Sequence, residues 1–295
     1  MKRIRPLTRL AAGFAAALAV AAAGFAACAA PPVWHVKKAG AEITLFGSVH
    51  ILSPTTDWKT PALAAELARA DEVWFEIPFD AAAQAEGQAM AVRRMALPKG
   101  QTLSPLLPTV TQRRLARVQS TLGIPVGAFE GLKPWAAEVS IGAVYVQQKG
   151  ARAGSGVEQQ IANTAPSTAA FRAFETAEQQ IGFFDNVPIK EQVASLGQSL
   201  KEIETEPDLF DRIVAAWVAG DARAVSRLAV LPIRKDAPGT YKRLVVDRNR
   251  RWTSTIEGLL DRPRRVFIVV GVGHLVGPDS VPALLRRKGV QVEGP

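Results

Sequence analysis

Two segments far apart in the chain share one local frame. ITLFGSVHIL spans residues 43–52 and FIVVGVGHLV spans residues 267–276. Each is an apolar run that breaks at a glycine and carries a histidine three residues later. The chain has only three histidines, and two of them, His50 and His274, sit in these matched positions. Apolar runs of this length read as strands. A glycine just past such a strand lets the backbone turn sharply and lets another group approach closely. If the two strands lie near each other in one sheet, both imidazoles emerge on the same edge.

The rest of the chain fits around these strands. VWHVKKAGAEITLFG reads as a hairpin with KAGA as its turn, and PALAAELARAD as a short helix. EVWFEI is apolar, aromatic and β-branched, bounded by Asp71 and Pro78, and reads as a buried strand. Residues 81–165 are mostly helical. AAFRAFE (169–175) reads as a further strand. A long helical stretch covers about 177–261, with breaks expected near Pro207, Gly220, Pro232 and Pro238. RVFIVV (265–270) is a strand, SVPALLRRKG a helix and VQVE a closing strand. The expected fold is one α/β domain over residues 31–295. It has a mixed β-sheet, a large, mostly helical insertion at about 81–165, and a site at the C-terminal ends of the strands.

On this map four strands each deliver a histidine or a carboxylate at or just past their C-terminal ends. The residues are His50, Glu76, Glu175 and His274, with Gly47, Gly271 and Gly273 as the accompanying glycines. Two imidazoles and a carboxylate suit a divalent metal that keeps positions open for water. A carboxylate beside it serves as a general base. Glu158, in GSGVEQQI, follows a glycine turn and opens a helix. It reads either as an acid suited to a helix N-terminus or as a group aimed at a cation. Arg248 and Asn249, in VVDRNRRW, sit inside a helix, where function and a solvated face are equal readings. Arg248 is a suitable donor to a developing oxyanion, since its charge is permanent and its fork rigid. His35 lies inside the first strand without a glycine frame and reads as structural. Trp135, with Val139, Gly142 and Val146 on its helical face, reads as core.

Composition narrows the chemistry. MKRIRPLTRL is basic, AAGFAAALAVAAAGFAA is apolar, and Cys28-Ala29-Ala30 follows. That order reads as an export signal over residues 1–30. The lone cysteine, Cys28, stands where a lipidated first residue would be, so lipid attachment to a membrane is one expectation and ordinary cleavage nearby the other. The remaining chain then has no thiol, which excludes cysteine nucleophiles, zinc–thiolate sites and redox chemistry. The formal net charge is +9, and four of those charges belong to the export segment. Scattered Lys and Arg without zinc-finger spacing or a basic arm give no case for nucleic acid. No HExxH occurs, so a zincin-type protease is excluded.

LFGSVHIL, VWFEIPFD, LKPWAAEV, GVEQQI, FETAEQQIGFFDNVP, DRNRRWTSTIEGLL and FIVVGVGHLVGPDSVPALLRRKGVQVE together resemble the TraB/GumN/Tiki family, in order, over essentially all of 33–295. The resemblance rests most on the pair of Gly-x-x-His motifs, Gly47–His50 and Gly271–His274. It places Glu76 as the family's strand-end acid and Glu175, Arg248 and Asn249 as its later elements. It implies an exported hydrolase dependent on a divalent metal (Mn, Co or Zn) and acting on a peptide or protein, because animal members are described as metalloproteases. In that reading His50, His274, Glu76 and Glu158 are the metal-site candidates, and Glu76, Glu175, Arg248 and Asn249 the catalytic ones. More distant relatives resemble erythromycin esterases and a haem-binding lipoprotein. A haem- or metal-binding envelope protein without turnover, and a scaffold for surface polysaccharide machinery, therefore stand as alternatives.

Overall fold

A computed structural model describes residues 30–38, 40–152 and 154–295. The expected export segment and Cys28 lie outside the described residues. The strands are β1 (Val33–Lys38), β2 (Ala41–Ser48), β3 (Glu72–Phe75), β4 (Ala170–Ala173), β5 (Arg265–Gly271) and β6 (Val292–Glu293). They form one six-stranded sheet in the order β4-β3-β5-β2-β1-β6. β1 and β2 make the antiparallel hairpin, and β6 joins the far side of β1, also antiparallel. β2, β5, β3 and β4 run parallel. The mixed α/β sheet is therefore as the sequence implies.

The register explains the matched motifs. β2 and β5 are neighbours in the sheet, with Gly47 opposite Val270 and Ser48 opposite Gly271. Both strands are apolar runs because helices cover both faces of the parallel part. Val73, Leu45, Phe46, Phe267 and Val269 are fully buried, as expected of such strands.

The helices are α1 (Pro61–Ala68), α2 (Ala81–Met95), α3 (Thr109–Thr121), α4 (Pro134–Gln148), α5 (Val157–Thr164), α6 (Ala177–Asp185), α7 (Ile189–Thr205), α8 (Leu209–Val218), α9 (Ala222–Val225), α10 (Leu231–Asp236), α11 (Pro238–Tyr241), α12 (Asp247–Leu259) and α13 (Val281–Arg287). Two buried clusters result. The larger one packs the sheet against α1, α5, α8, α12 and α13. The smaller one lies among α3, α4 and α7, around Leu103, Leu115, Ile141, Leu196 and Leu200. The helical insertion thus does not close its core alone. α7, which follows β4, supplies Val193, Leu196 and Leu200 to it, while α5 returns Val157 and Ile161 to the sheet.

Two expectations change. Pro232 does not break the helical stretch. It stands in α10, which continues directly from a π turn at Ser226–Val230, so the chain stays helical through a wider turn at the proline. Trp135 is core, at 5% exposed, but Val139 is 44% exposed. The buried face of α4 instead carries Trp135, Ala136, Ala137 and Ile141.

Candidate functional site

The four parallel strands end on one edge of the sheet, and their next residues meet there. Glu76 directly follows β3, Glu175 follows β4 by two residues, and His50 and His274 follow β2 and β5.

The two glycine–histidine motifs interlock. A Cβ added at Gly47 would stand 2.9–3.1 Å from Val272 of the other motif. A Cβ added at Gly271 would stand 3.1 Å from His50 Nε2 and 3.2 Å from Glu76 Oε1. Each glycine makes room for the partner motif, which is why both motifs need one. Gly156, just before α5, is tighter still, since a Cβ there would fall 1.9 Å from the His50 carbonyl oxygen. Gly273 has no comparable reason to be glycine, because its nearest neighbour, Val230, lies at 3.8 Å.

Each histidine is oriented by a second group. Glu158 Oε1 lies 2.6 Å from His50 Nδ1 and also accepts from the Ser48 hydroxyl. Of the two readings of Glu158, the structure therefore pairs it with His50. The charge of Glu158 raises the pKa of His50 to about 9. His274 Nδ1 lies 2.6 Å from Asn249 Oδ1. Asn249 Nδ2 donates to the carbonyls of His274 and Asp279, at 3.3 and 2.8 Å. That fixes the amide with its oxygen toward the ring, so His274 Nδ1 carries the proton and Nε2 a lone pair. Burial, opposed by Glu76 and aided by Arg248, lowers the pKa of His274 to about 3. The ring also packs on Trp252, with centroids 4.4 Å apart.

Arg248 and Asn249 are buried, at 6% and 0% exposed, so the solvated-face reading is set aside. The guanidinium binds Glu175 through Nε (3.0 Å) and Nη2 (2.9 Å), Glu76 through Nη2 (2.5 Å), and the Leu244 carbonyl through Nη1 (3.3 Å). Nη1 also lies 3.0 Å from the His274 Nε2 lone pair. All five N–H groups of an arginine are thereby used. The expected role as oxyanion donor has no free donor behind it here. Arg248 instead holds the site together. The Leu244 carbonyl belongs to a π turn, Lys242–Val246, that leads into α12, and such turns free carbonyls for side-chain donors.

Burial alone would raise the pKa of Glu76. It is nevertheless held well below the usual carboxylate range. His274 is neutral and brings no charge, so the holding groups are Arg248, His50 and the Gly271 N–H at 2.8 Å. Gln180 donates to Glu76 Oε2 at 3.1 Å and, with His50, Phe79 and Gln159, lines a cleft of about 290 Å³ over the site. Gln180 was not legible in the sequence. A glutamine inside an amphipathic helix looks like any surface residue.

Two carboxylates of low exposure, Glu76 and Glu175, bind the buried Arg248 guanidinium, and a third, Glu158, pairs with His50. Arg248, Arg251 and protonated His50 carry the opposing charge, so a divalent cation bound here would take the place of the His50 proton. Both imidazoles tie Nδ1 to an oxygen, the orientation found around metal-ligating histidines, and a metal at His274 Nε2 would displace the Arg248 Nη1 contact. The donor chemistry therefore fits a metal. The shell itself is not formed. Among the described residues no group of three His, Cys, Asp or Glu side chains is arranged to hold a metal ion. Glu76 Oε1 and His274 Nε2 are 3.9 Å apart, somewhat beyond the roughly 3.3 Å between two donors of one tetrahedral ion. The expected metal site of His50, Glu76 and His274 thus appears as converging donors, with Arg248 supplying positive charge beside them.

The model of the TraB/PrgY/gumN family matches residues 32–294. An uncharacterized protein, YbaP of Escherichia coli strain K12, is 25% identical over 191 residues, covering 64% of this chain and 70% of its own length. YbaP of Shigella flexneri aligns to the same extent. No solved structure matches the chain.

Proposed function

Because the chain belongs to the TraB/PrgY/gumN family, we propose that it is a metal-dependent hydrolase acting on peptides, with the strand-end cluster as its active site. The observation that carries this is the convergence of His50, Glu76 and His274 at one sheet edge, with each imidazole Nδ1 tied to a side-chain oxygen. His50, Glu76 and His274 would hold one divalent cation (Mn, Co or Zn), with Glu158 turned to His50 from behind. A cation held there supplies Lewis-acid polarisation of a scissile carbonyl and of water.

The protein's own residues do the rest. Glu158 and Ser48 orient His50. Asn249 fixes the tautomer of His274 and so the direction of its lone pair. Arg248 helps keep Glu76 ionised in a buried setting, where an unpaired carboxylate would otherwise take up a proton, and it pins Glu175 through Nε and Nη2. Gln180 and the open face of His50 line the cleft that a substrate enters. The proposal includes export, with the segment up to about Cys28 as signal and Cys28 as the lipid attachment point.

A peptide-library cleavage assay tests the reading, with Mn, Co or Zn added to protein first stripped by a chelator. Cleavage should depend on added metal and disappear in His50→Ala and His274→Ala. Cleavage that is undiminished in the stripped protein would overturn the metal dependence. Cleavage that survives both substitutions would overturn the site.

A further inference from the structure

A second cavity, of about 470 Å³, runs between α4, α7 and the start of α8 and ends at Val49-His50-Ile51. His50 therefore lines both this groove and the cleft over the acids. The groove walls are apolar, with Ile141, Tyr145, Leu196, Leu200, Ile203 and Phe210 among them. Its charged residues other than His50 are all acids. Glu138 accepts from Ser195 and Ser199, at 2.9 and 2.6 Å, and Glu202 accepts from Gln198 at 2.9 Å. Among the described residues neither has a cationic partner, whereas the third acid, Glu206, is paired with Arg212 at 2.6 Å. Among the described residues no Lys or Arg lines the groove.

We propose that this groove is the substrate channel, and that it takes a peptide segment of apolar side chains carrying a lysine or arginine, whose cation meets Glu138 and Glu202. The inference rests on the hydrolase reading only for what happens to that peptide at His50. Two uncompensated acids on an apolar wall attract a cation and repel a fatty acid or anionic lipid, which would otherwise suit the same walls. Burial, opposed by the two serine hydroxyls, pushes the pKa of Glu138 upward, and a neighbouring cation removes that penalty. Because His50 lines both the groove and the cleft, a bond next to the bound segment would lie beside His50.

Fluorescence anisotropy with the full chain tests this independently of turnover. The probes are labelled synthetic peptides: Leu/Val-rich with one Lys, the same with Glu in place of Lys, and Ser-rich with one Lys. Oleate serves as a competitor. Gly142 lies in the groove wall, and a Cβ there meets nothing within 4 Å. Gly142→Phe should therefore fold, as circular dichroism and a melt would confirm, while filling the channel. It is expected to weaken the Lys peptide about tenfold or more. Glu138→Gln should erase the preference for Lys over Glu. If Gly142→Phe does not fold, Val139→Trp, at an already exposed position in the groove wall, replaces it. Unchanged affinity in the blocked variant would overturn the proposal, as would equal binding of the Ser-rich peptide, or oleate binding in place of peptides. Wild-type protein that binds as described but cleaves nothing would uphold the channel and sink the hydrolase reading. Cleavage indifferent to Gly142→Phe would do the reverse.

Discussion

At the scale of single residues, the site is defined by contacts that tolerate no added atom and by one saturated cation. Gly271→Ala would press on the tip of the His50 ring and on Glu76. A ring tip can swing aside, so the variant should fold, and under the proposed hydrolase function its hydrolysis should fall by at least an order of magnitude, as in misplacement of a reacting group. Gly156→Ala meets backbone instead, at 1.9 Å from the His50 carbonyl. It should cost stability as well, about 1–3 kcal/mol in urea melts, the range for overpacking. Equal behaviour of the two variants would contradict this division. Arg248→Met removes the cation between Glu76 and Glu175 while keeping much of the side-chain volume. Breaking a buried pair in this way costs about 3–5 kcal/mol, measurable by denaturant unfolding at pH 7. A loss below 1 kcal/mol would show that the carboxylates find other partners.

At the scale of elements, much of the architecture could be read directly from sequence. Buried parallel strands must be continuous apolar runs, and RVFIVV and EVWFEI announce themselves for that reason. The shared glycine–histidine frame is legible because two neighbouring parallel strands impose the same turn on both. Other features were hidden. The pairing of Glu158 with His50, the use of all five Arg248 donors and the contact of Gln180 with Glu76 depend on how α5, α6 and α12 cross the strand ends, and no local pattern encodes that. The exposed face of α4 was hidden too, since Val139 lines a groove and looks like core in one dimension. Helices α2, α4 and α6 are joined by Asp185, which accepts from Arg94, Lys133 and Trp135 at 3.2, 2.6 and 3.0 Å. Burial alone would raise its pKa, but these donors outweigh burial and lower it. A lowered carboxylate pKa contributes stability above the unfolded value of about 4 and loses it as pH falls through the folded value. Asp185→Asn should therefore be less stable than wild type near pH 7, and the gap should shrink on acidification below pH 4. A gap that is constant with pH would remove the ionic part of this joint. Trp135→Ala, which empties the same junction, is expected to cost about 3–5 kcal/mol.

At the scale of the whole molecule, one sheet gathers residues from both ends of the chain, and two helical cores flank the edge where they meet. The groove between α4 and α7 and the acid-rich cleft both open at His50, so binding and chemistry would share that one residue. The export reading predicts a mature chain whose first residue is a lipid-bearing Cys28. Intact mass of the protein from the membrane fraction checks this, and an unmodified N-terminus downstream of Cys28 would leave ordinary secretion. The central claim is that His50, Glu76 and His274 hold one divalent cation. It is tested most directly by elemental analysis after equilibrium dialysis against Mn, Co or Zn, comparing wild type with the folded His50→Ala/His274→Ala double variant. The account requires about one ion per wild-type chain, by the single-site donor count, and none in the double variant. Equal metal content in the two proteins, or none in either, would contradict it.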